Sequence, residues 1–207
     1  MSAVAAARVE VHRALPPEEA ARANFYALLA RLFHSSADAG LLHALAEAEP
    51  IEGDAALSKA WADLCRASSA MDPDAAGAEY DELFVGVGKA MVSVYAGFYT
   101  GAAAIDHPRV RLKADFAAFG LEHLAAGEPE DHLATLFDVM RVLVAGGAGR
   151  ASAPLADQKR FFDTYLEAAA PKFFNAVIAC PKANYYRNAA ALGQAFIAIE
   201  SESFELD

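Results

Sequence analysis

Apolar side chains recur every three or four positions along most of this chain, the spacing that places them on one face of an α-helix. The spacing does not follow the strict alternation that is typical of a half-buried strand. Alanine, the strongest helix former, makes up about a quarter of the 207 residues. The pattern therefore predicts an all-α fold, with one helical-bundle-like domain of about eight to ten helices that spans residues 1–207.

Residues that start and stop helices bound several of these periodic segments. Pro17 and the acidic pair after it predict the start of the first helix, which we expect to end near Ser35. Asp72 followed by Pro73 is typical of an N-cap with proline at the first helical position. Further helical patterns fall within residues 41–48, 55–71, 161–166, 173–178 and 185–199. Two more helices are expected to start at residues 106–108 and 127–132, and Gly146-Gly147 is expected to end the second of them.

The helical pattern breaks between residues 86 and 101. This segment, GVGKAMVSVYAGFYTG, has four glycines and several aromatic or β-branched residues without a period of 3.6. It predicts a loop or linker that is packed by its own aromatic side chains. Because such a hinge has little preference for one path, we expect either a monomer or a domain-swapped homodimer.

The charge of the chain excludes some classes of partner. It has 17 lysines and arginines against 28 aspartates and glutamates, a net charge of −11, and 56% of its residues are hydrophobic. This acidic balance disfavours nucleic acid and anionic lipid, and it favours cationic peptides. No apolar run is long enough for a membrane span, and the N-terminal apolar run is too short and too charged for a secretory signal. We therefore expect a cytoplasmic protein without membrane insertion.

The motifs of common catalytic and metal sites are absent from the sequence. It contains no Glu-x-x-His pair, no His-Glu-x-x-His and no Cys-x-x-Cys, and its two cysteines, Cys65 and Cys180, are expected to be small buried thiols in a reducing compartment. It also lacks a Gly-x-Ser-x-Gly elbow, and the glycines at 86 and 88 do not have the spacing of a phosphate-binding loop. We expect no enzymatic activity, no metal and no cofactor of its own.

One charged cluster stands out, Glu-Pro-Glu-Asp-His at residues 128–132. One interpretation is an ordinary helix start, with Pro129 at the first helical position and with Glu130 and Asp131 in the first turn, where acids favour the helix dipole. His132 would then be a polar neighbour. The other interpretation is a binding site.

A resemblance to a known family favours the binding site. The run E-P-E-D-H-L-A-T-L-F-D-V-M and the earlier E-Y-D-E-L-F-V-G at 79–86 closely resemble the TorD/DmsD family of cytoplasmic chaperones, and the likeness continues at 158–162 and 185–186. The resemblance implies an all-helical, non-enzymatic protein. It also implies a partner, since members bind the twin-arginine signal peptide of a molybdenum-containing oxidoreductase, hold it back from export and assist insertion of the molybdopterin cofactor. The sequence departs from the family pattern at Gly86-Val87 and at 94–97.

The resemblance also implies which residues contact the peptide. A twin-arginine peptide needs carboxylate acceptors next to an apolar groove. Asp131 and Glu130 match the acceptors, and His132 matches a hydrogen-bonding partner. Pro129 belongs to the same motif and is also expected to contact the peptide. The expected groove wall is formed by residues of the preceding motif, which are Tyr80, Leu83 and Phe84.

Three alternatives stay open at this point. Leu83 and Phe84 could be plain core residues. The chain could be an assembly factor of a respiratory enzyme, as in the related NarJ branch, which binds its client without a twin-arginine signal. It could also bind nucleotide, since weak GTP binding is associated with some relatives, although no phosphate-binding motif supports this. The sequence does not indicate which molybdoenzyme is the client.

Overall fold

The prediction of an all-α fold is confirmed. The computed structural model describes residues 15–86, 90–101, 108–121, 129–147 and 151–206, and these residues form helices joined by turns and loops, without a β-strand among them. The helices are α1 (Pro17–His34), α2 (Ala39–Ala46), α3 (Ala55–Ala70), α4 (Pro73–Tyr80), a π-helical turn (Asp81–Val85), α5 (Ala96–Thr100), α6 (Pro108–Phe119), α7 (Leu133–Ala145), α8 (Leu155–Tyr165), α9 (Ala170–Ala179) and α10 (Tyr185–Leu206).

Local sequence signals set several of these boundaries as expected. The Asp72 side chain accepts hydrogen bonds from the N–H groups of Asp74 and Ala75, and Pro73 occupies the first turn of α4. At the other end of a helix, Gly146 terminates α7 with a φ of 72°, a conformation that favours glycine. Capping residues close in sequence therefore decide these helix ends.

The core lies around α7, which packs along α1 on one side and contacts α8 on another. Ten of the thirteen residues of α7 are buried, so this helix has no broad solvent-facing side. Helix α10 packs against both α3 and α9, and α2 covers α3. This arrangement brings the C-terminal end of α1 close to the N-terminal end of α7.

Residues 86–101 differ in part from the predicted loop. Residues 96–100 form the short helix α5, which ends at Gly101 with a φ of 64°. The segment is packed partly by its own aromatic side chains, as expected, because the Tyr99 hydroxyl donates a hydrogen bond to the Ser93 carbonyl and the Phe98 and Tyr99 rings meet edge to face. Residues 87–89 lie outside the described part of the chain. Exchange of halves between copies stays a prediction.

The two cysteines are free thiols. Cys180 is buried as expected, whereas Cys65 is only partly buried because it lies toward the solvent side of α3. Burial nevertheless raises the pKa of the Cys65 thiol.

Candidate functional site

The cluster around residue 130 is a turn that precedes α7. Helix α7 begins at Leu133 and its N-cap is His132, so Pro129 does not occupy the first helical position and neither acid lies in the first helical turn. The turn is closed by a hydrogen bond from the His132 N–H to the Pro129 carbonyl (3.0 Å). The interpretation of this cluster as an ordinary helix start is therefore wrong, because Pro129, Glu130 and Asp131 all lie before the helix.

A backbone bridge ties this turn to the segment before α5. Tyr95 and His132 form an isolated antiparallel bridge. The N–H of Ala96 donates to the Asp131 carbonyl, and the N–H of Leu133 donates to the Val94 carbonyl, both at 2.8 Å. Residues 37 positions apart are thus held side by side, an arrangement that no local pattern in the sequence indicates.

The Asp131 carboxylate points into this junction. Only 3% of the residue is exposed, and its Oδ2 accepts a hydrogen bond of 3.3 Å from the N–H of Gly97 in the first turn of α5. Asp131 therefore contacts the 94–98 segment through both its backbone and its side chain.

His132 lies between two other rings. Its Nδ1 accepts a hydrogen bond from the Ala134 N–H (3.2 Å), and its ring packs edge to face against Tyr95 (5.6 Å between centroids) and His34 (6.2 Å). Burial, reinforced by the nearby His34 and opposed by Asp131, lowers the pKa of His132 to about 4. The ring is consequently neutral at pH 7, and because Nδ1 is an acceptor its proton is on Nε2.

His132 is only 5% exposed, and the donor of its ring is the Nε2–H. It has no hydrogen-bond partner among the described residues, and within them no buried side-chain nitrogen or oxygen lacks one. It follows that Nε2 is not fully buried. His34, exposed in the last turn of α1, lies next to it, and sequence reasoning missed His34 because nothing local links it to residue 132.

Glu130 lies at the edge of the site and pairs with α6. Its carboxylate is 3.2 Å from the ammonium group of Lys113, and its side chain is only 16% exposed. An arginine that approached Glu130 would therefore compete with an existing ion pair.

The expected groove wall is in the core. Tyr80, Leu83 and Phe84 are all buried, and the Tyr80 hydroxyl donates to the Phe33 carbonyl at 3.2 Å. The Phe84 ring contacts the ring of Phe33, the residue before His34. The core-packing alternative thus describes the positions of these side chains, and their contact with a peptide stays a prediction.

The π-helical turn links this core cluster to the surface. It is closed by a hydrogen bond from the Gly86 N–H to the Asp81 carbonyl (2.7 Å), and the Leu83 carbonyl accepts from the Val92 N–H (2.9 Å). π-Helical turns are rare and occur often at functional sites. Here the turn buries Leu83 and Phe84 and leaves the next residue, Val85, 60% exposed.

Exposed apolar side chains are concentrated in the stretch of chain that includes Tyr95, the residue bridged to His132. Of the six large hydrophobic residues that are exposed in the described part of the chain, four lie between residues 85 and 98, namely Val85, Met91, Tyr95 and Phe98. Phe98 is 70% exposed. We call these four residues the apolar surface. The only sequence signal for it was the break in helical pattern at 86–101.

The described residues show no metal site and no candidate membrane span. They contain no group of three or more histidine, cysteine, aspartate or glutamate side chains that could hold a metal ion. None of their helices combines the length and the apolar character needed to cross a membrane.

Comparison with known proteins establishes the family. Residues 52–175 match the family described as "Nitrate reductase delta subunit", which includes the NarJ- and TorD-type chaperones. The match covers more than half of the chain and includes both the Asp131-His132 turn and the π-helical turn, so the chain belongs to this family. No curated protein and no solved structure matches the chain.

Membership sets the general class of function. The family consists of chaperones and assembly factors and is not a catalytic family. It indicates a role in assembling a nitrate reductase or related enzyme, with a molybdoenzyme subunit as the partner. The resemblance inferred from the sequence is confirmed at this level.

Proposed function

We propose that this protein is a cytoplasmic maturation chaperone that binds the twin-arginine signal peptide of a molybdoenzyme catalytic subunit before export, while the molybdopterin cofactor is inserted. The proposal places the peptide over the Asp131-His132 turn and the apolar surface. The observation that carries it is that two of the exposed apolar residues, Tyr95 and Phe98, lie on the segment that is bridged to this turn, and that the other two precede them closely in the chain.

The apolar surface fits the hydrophobic stretch of a signal peptide. Each large apolar side chain removed from water on binding contributes about 1.5–3 kcal/mol. Met91, Tyr95 and Phe98 combine a flexible thioether with two aromatic rings, the residue types that favour binding surfaces able to accept varied apolar sequences. A signal peptide needs such a surface because its apolar stretch is defined by hydrophobicity more than by particular residues.

His132 supplies a directional contact in this proposal. Its Nε2–H donates a hydrogen bond to a backbone carbonyl of the peptide, while Nδ1 remains occupied by the Ala134 N–H. The neutral state of the ring matters, because an imidazolium would repel the peptide's arginines. The net charge of −11 attracts those arginines at longer range.

A second candidate is an assembly factor that binds its client without reading a pair of arginines. The burial of Asp131 and the pairing of Glu130 with Lys113 favour it, because the two carboxylates of the turn are not open to an incoming guanidinium. In that role, the chain would bind an apolar segment of the client through the same apolar surface.

Titration of two peptides tests the proposal. One peptide carries a twin-arginine motif before an apolar stretch, and the other has both arginines replaced by glutamine. We expect saturable binding of the first peptide and weaker binding of the second, because only the first carries the two positive charges that the net charge of −11 attracts. Equal binding of both peptides would favour the second candidate. Binding of neither peptide, in an assay where the apo-form of the client subunit does bind, would overturn the signal-peptide proposal.

A further inference from the structure

We infer that Asp131 is a positioning residue, which holds the apolar surface in place without itself contacting the peptide. This inference rests on the proposed function and specifies how the site works. It differs from the arrangement that the family resemblance suggests, in which the Asp131 carboxylate accepts hydrogen bonds from an arginine of the peptide.

Burial argues against direct contact. Asp131 is 3% exposed, whereas an arginine fork needs both carboxylate oxygens to be accessible. One of these oxygens, Oδ2, already accepts from the Gly97 N–H. A peptide guanidinium could reach the carboxylate only by displacing the groups that cover it, and the backbone of Gly97 is one of them.

The contacts of Asp131 instead fix the start of α5. The N-cap position of this helix is Tyr95, which provides no side-chain cap, so the first N–H groups of α5 need acceptors from elsewhere. Asp131 provides two, since its carbonyl accepts from Ala96 and its carboxylate accepts from Gly97. The carboxylate therefore caps α5 from a different part of the chain.

The start of α5 carries two members of the apolar surface. Tyr95 is the N-cap residue and Phe98 is the third residue of the helix, and the Phe98 N–H donates to the Tyr95 carbonyl at 3.1 Å. The next residue, Tyr99, donates a hydrogen bond from its hydroxyl to the Ser93 carbonyl, and its ring packs against the ring of Phe173. Because Asp131 holds the start of α5 and Tyr99 packs onto its surroundings, Phe98 has a defined position while it is 70% exposed.

Two substitutions of Asp131 separate positioning from direct contact. Asp131→Asn keeps an oxygen that can accept from the Gly97 N–H but removes the charge, whereas Asp131→Ala removes both. Positioning predicts that Asn preserves binding and that Ala weakens it. Direct contact with an arginine predicts that both substitutions weaken binding about ten- to hundredfold.

The experiment is calorimetric titration of the twin-arginine peptide into the full chain and four variants, at low and raised salt. We expect Asp131→Asn to bind within about threefold of the wild type with the same salt dependence, and Asp131→Ala to bind about tenfold or more weakly. Phe98→Ser should bind the peptide about ten- to hundredfold more weakly, because the substitution removes the most exposed ring of the apolar surface. Leu155→Ser, on an exposed apolar residue of α8, is the matched control and should bind like the wild type.

Hydrogen exchange provides a readout of position. The Gly97 amide should exchange faster in Asp131→Ala than in the wild type, and near the wild-type rate in Asp131→Asn. Two results would overturn the inference while leaving the proposed function intact. One is a large loss of affinity in Asp131→Asn together with a weaker salt dependence. The other is an affinity of Asp131→Ala equal to that of the wild type. If Asp131→Ala does not fold, the affinity and salt dependence of Asp131→Asn alone distinguish positioning from direct contact. Absence of peptide binding by the wild type would overturn the proposed function, and the inference with it.

Discussion

The carboxylate of Glu79 on α4 caps α10 at Tyr186, 107 positions further along the chain. Oε1 accepts from the N–H of Tyr186 at 2.9 Å and from that of Asn184 at 2.8 Å, and Oε2 accepts from Tyr185 at 3.0 Å. Three N–H groups that the start of a helix leaves without internal partners are thus satisfied by one side chain. Glu79 also places a negative charge at the positive end of the helix dipole.

Removing this cap should destabilise the protein. We expect Glu79→Ala to lower the free energy of unfolding by about 2–3 kcal/mol, because hydrogen bonds to a charged group contribute about 1.5–3 kcal/mol. The melting temperature should fall by about 4–12 °C for a chain of this size. Glu82→Ala is the control, since Glu82 pairs with Lys182 on the surface and should contribute little. Equal melting temperatures for the two variants would contradict the role given to Glu79.

Gly193 allows α10 to approach α9 closely. A Cβ at this position would lie 2.3 Å from Cζ of Phe174, and the Phe174 ring is fully buried and stacks on Phe137. The ring cannot swing into solvent, so we expect Gly193→Ala to cost about 1–3 kcal/mol of stability, measured by denaturant unfolding. Gly77→Ala in α4 is the control, because nothing lies within 4 Å of its added Cβ, and it should stabilise by about 0.5–1 kcal/mol. A stabilising Gly193→Ala would show that this contact relaxes easily.

His132 should make stability depend on pH. Its pKa is lowered to about 4 in the folded chain, whereas in the unfolded chain it has the ordinary value of about 6.5. As the pH falls below 6.5 the unfolded state gains a proton first, so stability decreases until the pH passes 4, by about 3 kcal/mol in all. Among the residues that the structure describes, His34, Asp131 and Tyr95 face the ring.

The variant His132→Asn isolates this effect. Asparagine is a good N-cap residue and does not titrate, so the variant should lose less stability than the wild type between pH 6.5 and 4. Denaturant midpoints measured across this range give the difference. His43→Gln, on the exposed side of α2, is the control and should follow the wild-type curve. Parallel curves for wild type and His132→Asn would contradict the lowered pKa.

Arg22 and Glu200 form the main polar link between α1 and α10. The guanidinium binds both oxygens of the Glu200 carboxylate, at 2.8 and 2.9 Å, and the buried Tyr26 hydroxyl donates to the same carboxylate at 2.8 Å. Arg22→Met leaves a buried charge without its partner, and we expect a loss of about 3–5 kcal/mol.

A double substitution tests whether the buried charge causes this loss. Arg22→Met with Glu200→Gln should be less destabilised than Arg22→Met alone, because the remaining buried group is neutral. Glu19→Gln serves as the control, since the Glu19 side chain is one-third exposed and its contact with Arg22 is a local one. Additive losses in the double variant would indicate that the arginine acts mainly through packing.

Local signals predicted the helices well and the turn at 129–132 poorly. The N-cap at Asp72 and the glycine stop at Gly146 depend on residues within one turn of the helix, so the sequence reveals them directly. Proline followed by two acids is an equally good local signal for a helix start, yet α7 begins at Leu133. The reason is that Asp131 uses its carbonyl and its carboxylate to bind residues 96 and 97, and this distant pairing overrides the local preference.

The sequence by itself determined that the chain is all-α, where most helices begin and end, and which family it resembles, because helical periodicity and motifs are properties of neighbouring residues. The tertiary structure alone decided that His34 lies against His132, that Tyr95 is bridged to the same residue and that Leu83 and Phe84 are buried while Val85 is exposed. These relationships join helices that are far apart in the chain, and they depend on how whole helices pack. No spacing along the sequence encodes that packing.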